Sequence, residues 1–206
     1  MNLILYGSGD ELVHELKKRC PHTPPLPMVQ MQMLPYQMMG LYAATWEQCR
    51  QGGRILEIGT GFGGSSYMMA KAGPRVEIVS LTVNEKEAKI ARNFLDHCGC
   101  QNVEIVVQAS WDYLAAHPQS EWDMIYVDGD HNRIERDLIW FNQLKPEGLF
   151  LCHDYSGGDS FHPSPRVYAA LNEMHRRLDR PFDVLLLDDE QTGMAGFQRH
   201  EGEVWE

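Results

Sequence analysis

The sequence is short of basic residues. Eighteen lysines and arginines stand against 29 aspartates and glutamates, a formal net charge of −11. A nucleic-acid partner needs a basic face for its phosphates, so this balance argues against one and leaves small neutral or cationic substrates. Long apolar runs are missing too. None approaches the roughly 18 continuous residues of a membrane span, so no membrane partner is expected. The opening MNLILYGSGDELVHELKKR meets acids too soon after its apolar stretch to read as a secretory leader. Cysteine is scarce: Cys20, Cys49, Cys98, Cys100 and Cys152 form no CxxC pair. An odd set without secretory features speaks for reduced thiols and a cytoplasmic protein. Internal repeats and low-complexity tracts are absent. What remains is an ordinary globular composition, 43% hydrophobic over 206 residues, enough to bury one domain's core.

Glycine, by contrast, is concentrated. The stretch LEIGTGFGGSS, residues 56–66, places Gly59, Gly61, Gly63 and Gly64 within six positions, after a short apolar strand and before a helix-like segment. A strand that stops in a glycine turn and feeds a helix presents backbone N–H groups at the positive end of the helix dipole. The missing Cβ atoms permit tight turns and let a ligand approach the backbone. Gly59, Gly61 and Gly64 also satisfy the dinucleotide pattern G-x-G-x-x-G. Two features oppose that reading. Glu57 is an acid inside the strand, and the next strand lacks the terminal acid that a dinucleotide's ribose requires. An acid, an apolar residue and G-x-G-x-G instead resemble motif I of the class I S-adenosylmethionine-dependent methyltransferases. The resemblance implies that Glu57 meets the amino end of the cofactor, and that Gly59, Thr60, Gly61, Gly63 and Ser65 form the turn beneath it.

From residue 54 onward strands and helices alternate. Strands are expected at 54–58, 76–82, 103–109, 124–128, 149–154, 182–187 and 193–200, with helices at 65–72, 85–98, 110–117, 133–144 and 164–178. Ser110 and Ser164 read as N-caps, and Pro165 suits a first helical position. This alternation specifies an α/β fold, a Rossmann-like, seven-stranded, mostly parallel sheet with helices on both faces. The last two strands, joined by the tight DDEQTG turn, form a C-terminal antiparallel hairpin. Residues 54–206 are then the methyltransferase domain, and residues 1–53 an N-terminal helical and extended cap. That cap holds a short amphipathic helix at 10–19, the proline-rich PHTPPLP, and MVQMQMLPYQMMG with five methionines. The methionine stripe reads first as a helix covering the core. The alternatives are a lid over the acceptor pocket or a homodimer face, for which adaptable methionine is suited.

In such sheets ligands lie beyond the carboxyl ends of the strands. The strand 76–82 ends at Thr82, where the resemblance calls for an acid on the ribose; Asn84 and Glu85 are the substitutes in the following turn. Ala109 and Ser110 occupy the adenine position, with Trp111 either stacked on the base or packed in the core. MIYVDGDH delivers Asp128, Asp130 and His131, and LKPEGLFLCHDYS delivers His153 and Asp154. This pair of motifs resembles the family-24 methyltransferases, and the likeness runs over about residues 54–173. It implies a divalent cation on Asp128, His153 and Asp154 and a histidine base at His131. Where the family has two acids or an acid and an amide, this chain has His153 and Asp154. A site with imidazole is friendlier to manganese, iron, nickel or zinc than to magnesium. The other reading turns His153 into the sheet interior and leaves Asp128 and Asp154 without a metal. SGGDSFHP, directly after the second motif, is placed for an acceptor loop.

The expectation is therefore transfer of a methyl group from S-adenosylmethionine to a hydroxyl of a small molecule, with Asp128 and His131 at the chemistry. N-methylation of a small amine, a silent cofactor-binding scaffold and an NAD-dependent oxidoreductase are the rivals.

Overall fold

A computed structural model describes residues 2–26, 33–73, 75–156 and 164–206. In chain order its elements are β1 (Leu3–Gly7), α1 (Gly9–Arg19), α2 (Pro35–Cys49), β2 (Gly53–Ile58), α3 (Gly64–Ala72), β3 (Val76–Thr82), α4 (Glu85–His97), β4 (Val103–Val107), α5 (Ser110–Ala116), β5 (Trp122–Val127), α6 (Ile134–Asp137), β6 (Leu144–Ser156), α7 (Pro165–Leu178), β7 (Val184–Asp188) and β8 (Thr192–Gln198). Short 3₁₀ turns, His131–Arg133 and Leu138–Gln143, flank α6.

The strands form one sheet in the order β1-β7-β8-β6-β5-β2-β3-β4. β8 runs antiparallel between β6 and β7, and every other pairing is parallel. Successive strand residues face opposite sides, and the core divides accordingly. Ile55, Met124 and Leu149 belong to an apolar cluster shared with α1, α2 and α3. Their neighbours Leu56, Ile125 and Phe150 belong to a second cluster with α5, α6 and α7. Both faces of the central strands are therefore covered, which is why they read as continuous apolar runs.

Among the described residues the sheet has eight strands where seven were expected. The additional one, β1, comes from the segment read as a cap and pairs in register with β7, Leu3 opposite Val184 and Gly7 opposite Asp188. α1 begins at the capping box of Ser8 and Glu11, and its Leu12 and Leu16 are buried. α2 is buried along most of its length, with Met38 and Met39 inside the core cluster together with Met33. That fits the core-covering role for this part of the methionine stripe. Met28 and Met31 lie outside the described residues, as do the end of PHTPPLP and residues 157–163 of the expected acceptor loop.

The helix expected over 133–144 is broken. Its second half tightens to 3₁₀ geometry, in which side chains three apart eclipse, and Leu138 and Phe141 are both buried against the sheet. Ser110 is the first residue of α5 rather than its cap; Ala109 holds that position, and the Ser110 hydroxyl is engaged elsewhere.

Candidate active site

β2 lies at the switch point of the sheet, with β5 on one side and β3 on the other. Its carboxyl end opens into the glycine turn. The amides of Gly59 and Thr60 donate to the carbonyl of Leu81 at 2.9 and 3.1 Å, and the amide of Asp128 donates to the carbonyl of Ile58 at 2.8 Å. The three strand ends are thus laced together. Gly59 has φ +106°, and a Cβ there would fall 2.1 Å from the Asp128 carbonyl oxygen. Gly61, at φ +50°, faces open space instead. One glycine is required by the fold; the other keeps a cavity clear.

Glu57 was expected to touch the cofactor. Its side chain is completely buried, and its carboxylate accepts from the hydroxyls of Ser65 and Ser80, both at 2.5 Å, and of Ser66. Ser80 is its register partner on β3. Burial pushes the Glu57 carboxyl up to about 7 against the lowering effect of the three serines. Glu57 therefore ties β2, β3 and the first turn of α3 together and stands behind the turn. Of the partners, sequence reasoning placed only Ser65 at the site. A buried acid in a strand demands such donors, and that demand was the available signal for Ser66 and Ser80.

Two cavities meet at this turn. One is lined by Met33, Met38, Phe62 and Ser65, and the other, of about 400 Å³, by Thr82, Ala109, Ser110, Trp111 and Asp137. Gly59, Thr60, Gly61, Glu87 and Asp128 line both. Thr82 is buried at the end of β3, where its hydroxyl donates to Glu87 at 3.4 Å and accepts from the amide of Asn84 at 3.1 Å. Of the substitutes considered for the missing acid, Asn84 caps α4, its side chain accepting from the amides of Lys86 and Glu87, and Glu85 faces a different cavity. The acid at the junction is Glu87, two residues beyond Glu85. Trp111 is 40% exposed, with the guanidiniums of Arg133 and Arg136 at 5.8 and 5.3 Å from its ring. It lines the cleft and is not a core residue.

Parallel pairing of β5 with β6 brings the two acidic motifs side by side. Asp130 accepts from the amide of Asn132 at 3.0 Å and so caps the 3₁₀ turn that presents His131. A bulge in β6 puts Asp154 at φ +53°, turning its carboxylate out of the strand's alternation. Two carboxylates and two imidazoles then alternate. Asp128 Oδ1 lies 3.6 Å from Nε2 of His131 and 3.2 Å from Nδ1 of His153. Asp154 lies 3.2 Å from Nδ1 of each ring, through Oδ2 to His131 and Oδ1 to His153. Burial opposes charge on His153, but Asp128 and Asp154 overcome it and raise its pKa to about 10. Asp128, despite burial, is held at about 2 by His153 and His131. His131 is raised by Asp128 and Asp154 against its own burial.

The side chains whose ligand atoms converge, all within 4.8 Å of one another, are Asp128, His131 and Asp154. His153, expected among the metal ligands, is 3% exposed and lies on the inner side of β6, where it serves as the positive partner of both acids. The nitrogen donor that converges with the two carboxylates is His131. An O,N,O set of this kind fits a first-row divalent cation better than magnesium. Nε2 of His131 is buried, and its Asp128 Oδ1 neighbour at 3.6 Å lies beyond ordinary hydrogen-bond distance.

Comparison with known proteins bears on the fold and the family resemblance. Residues 56–155 match the family described as Methyltransferase domain. The catechol O-methyltransferase of Mycobacterium tuberculosis is 32% identical over 106 residues, 50% of this chain and 48% of that protein. The protein-L-isoaspartate O-methyltransferase of Ignicoccus hospitalis is 30% identical over 139 residues, 66% of this chain and 64% of that one. The aligned stretches thus span about half to two thirds of these relatives. The solved structure of the O-methyltransferase TomG from Streptomyces achromogenes, in complex with S-adenosylmethionine, shares the fold at TM-score 0.63 and 21% identity, over 93% of this chain and 91% of that one. Over the matched stretch the chain resembles the class I S-adenosylmethionine-dependent methyltransferases. Within them it resembles the family-24 group. Among the described residues no helix is long and apolar enough to cross a membrane.

Proposed function

We propose that this protein transfers the methyl group of S-adenosylmethionine to a hydroxyl of a small-molecule acceptor, with a divalent cation held by Asp128, His131 and Asp154. The observation that carries the proposal is the convergence of those three side chains beside Asp128's own edge of the glycine-turn cavity. S-Adenosylmethionine supplies a methyl carbon already activated on a sulfonium, so the protein's work is alignment and proton removal. The open space at Gly61 admits the nucleoside, and Glu87 accepts from its ribose hydroxyls in place of an acid at Thr82. Holding the acceptor oxygen in line is worth several kcal/mol. With the cation absent, His131, oriented between Asp128 and Asp154, accepts the hydroxyl proton, a step that typically contributes about 10²–10⁴-fold. As a cation ligand it could not, and proton loss would then follow from the cation's effect on the acceptor. A bound cation would hold the acceptor oxygen and lower its pKa. The carboxylates of Asp128 and Asp154 also favour a second reading, a small amine as acceptor.

The decisive experiment is calorimetry with S-adenosylhomocysteine and NAD, followed by a methyl-transfer assay on catechol-type and amine acceptors before and after chelation. Binding of S-adenosylhomocysteine, lost in Gly61→Val, and chelator-sensitive transfer to a hydroxyl are expected. NAD binding without S-adenosylhomocysteine binding would end the proposal, and transfer confined to amines would select the second reading.

A further inference from the structure

β4 ends the sheet, with β3 on one side and, among the described residues, no strand on the other. In a parallel pair each residue directs both backbone groups either at its neighbour or away from it. The Asn102 carbonyl accepts from the amide of Ile78 at 3.0 Å, and the Gln108 amide donates to the carbonyl of Thr82 at 2.8 Å. The even-numbered residues therefore face β3, and Val103, Ile105 and Val107 turn their backbone groups outward. Arg92 of α4 donates to the Val103 carbonyl at 2.6 Å and so marks the amino end of this edge. The amides and carbonyls of Ile105 and Val107 have no partner on β3. Their side chains border a groove of about 510 Å³ between β4 and α4. Burial falls along the strand: Val103 is buried, Ile105 half-buried and Val107 48% exposed. An edge of free backbone groups and apolar side chains is a template for another strand.

The charges along the groove say which strand. α4 connects β3 to β4, which are parallel, so it runs back against them. Glu85 in its first turn stands at the carboxyl end of the groove, and Lys89 and Arg92 follow towards the amino end. Among the described residues α4 has one ion pair, Arg92 with Asp96, which leaves Glu85 and Lys89 unpaired. A uniformly acidic or uniformly basic segment would meet like charge at one end. A second copy of this chain, related by a two-fold axis through Ile105, reverses direction, so each Glu85 faces the basic end of the other groove. The same operation sets Val103 opposite Val107 and Glu104 opposite Val106, and the strand's one acid avoids its copy. We propose that β4 pairs antiparallel with β4 of a second copy, giving a two-fold dimer with one continuous sheet and β1 at both outer edges. This face is distinct from the methionine stripe, whose Met33, Met38 and Met39 are buried in the core.

The test is sedimentation velocity of the full chain across a concentration series. The wild type should sediment as a dimer that dissociates on dilution, with no larger species, because a two-fold contact closes on itself. Val107→Pro removes an amide that faces away from β3, so the native ladder keeps its bonds while the dimer loses one from each copy; this variant should sediment as a monomer. Glu85→Lys should weaken dimerisation roughly 2- to 30-fold, exposed ion pairs being weak singly but counted twice by the symmetry. Combining Glu85→Lys with Lys89→Glu should restore the dimer, a rescue that a merely structural effect of either change would not give. A wild type that stays monomeric at every concentration overturns the proposal. So does a dimer indifferent to both Val107→Pro and Glu85→Lys, whose interface must lie elsewhere. Should Val107→Pro not fold, the charge reversal and its rescue decide.

Discussion

Glu57 shows how a functional motif can carry a structural load. Its pKa in the folded chain is raised to about 7, so ionisation weakens the native state as pH climbs from the unfolded value near 4.5 through 7, and no penalty exists below that range. At pH 8 the burden is on the order of 3 kcal/mol. Glu57→Gln should therefore gain stability over the wild type between pH 5 and pH 8, as read by thermal melting. An identical difference in melting temperature at both pH values would refute this account. His131 is governed by the opposite sign. A base must be unprotonated, and the neighbouring carboxylates keep its proton on to higher pH than in an ordinary histidine. On the proposed mechanism, kcat/KM rises with pH through a midpoint above about 6.5. His131→Ala should lower turnover about 10²–10⁴-fold and flatten that limb. At this scale the sequence was legible where a residue type announces its chemistry, as in Asp128, His131 and Asp154. It was not legible where orientation decides. Neighbours in the chain, His153 and Asp154 part company because a bulge turns one carboxylate outward and leaves the imidazole inside.

Among the elements, β8 packs closely along β6, the strand that carries His153 and Asp154. β8 carries Gly193 and Gly196, and a Cβ at Gly196 would fall 2.1 Å from the Phe150 carbonyl oxygen. Backbone cannot yield as a side chain end can, so Gly196→Ala should destabilise the protein by about 1–3 kcal/mol, the range for overpacking. A urea midpoint equal to that of the wild type would exclude the close approach. The expectation of a hairpin at the carboxyl end rested on the DDEQTG turn. Asp188 accounts for that turn, its Oδ1 accepting from the amides of Glu190 and Thr192 and from the Thr192 hydroxyl. α4 gives the contrary lesson. Its first turn was read for Glu85, the acid nearest Thr82, but helix geometry sends Glu85 to another face and brings Glu87 to the cleft. Proximity in the chain misleads once a helix has started.

Taken whole, the molecule is one sheet whose outer strand is borrowed from the far end of the chain. LILYG was too short and too isolated to declare itself a strand, since its partner, VLLLD, follows some 180 residues later. Leu3 is fully buried, and β1 covers an edge of β7 that would otherwise expose unpaired backbone. Removing residues 2–7 should lower the melting temperature and produce association by edge pairing, seen as a rise in scattering; an unaltered, monodisperse protein would show that the edge needs no cover.

The pairing of β1 with β7 also fixes an order of events during synthesis. When Leu3–Gly7 leaves the ribosome, the strand it must join has not been made. The central strands β2, β3 and β5 have only one another to find, and they can close the glycine turn while the first strand waits. A chain stalled just after Leu178 should thus leave its N-terminal segment open to protease, and protection should appear only when Asp188 has emerged. Of the described strands, the one translated before all the others is in this sense the last to be placed.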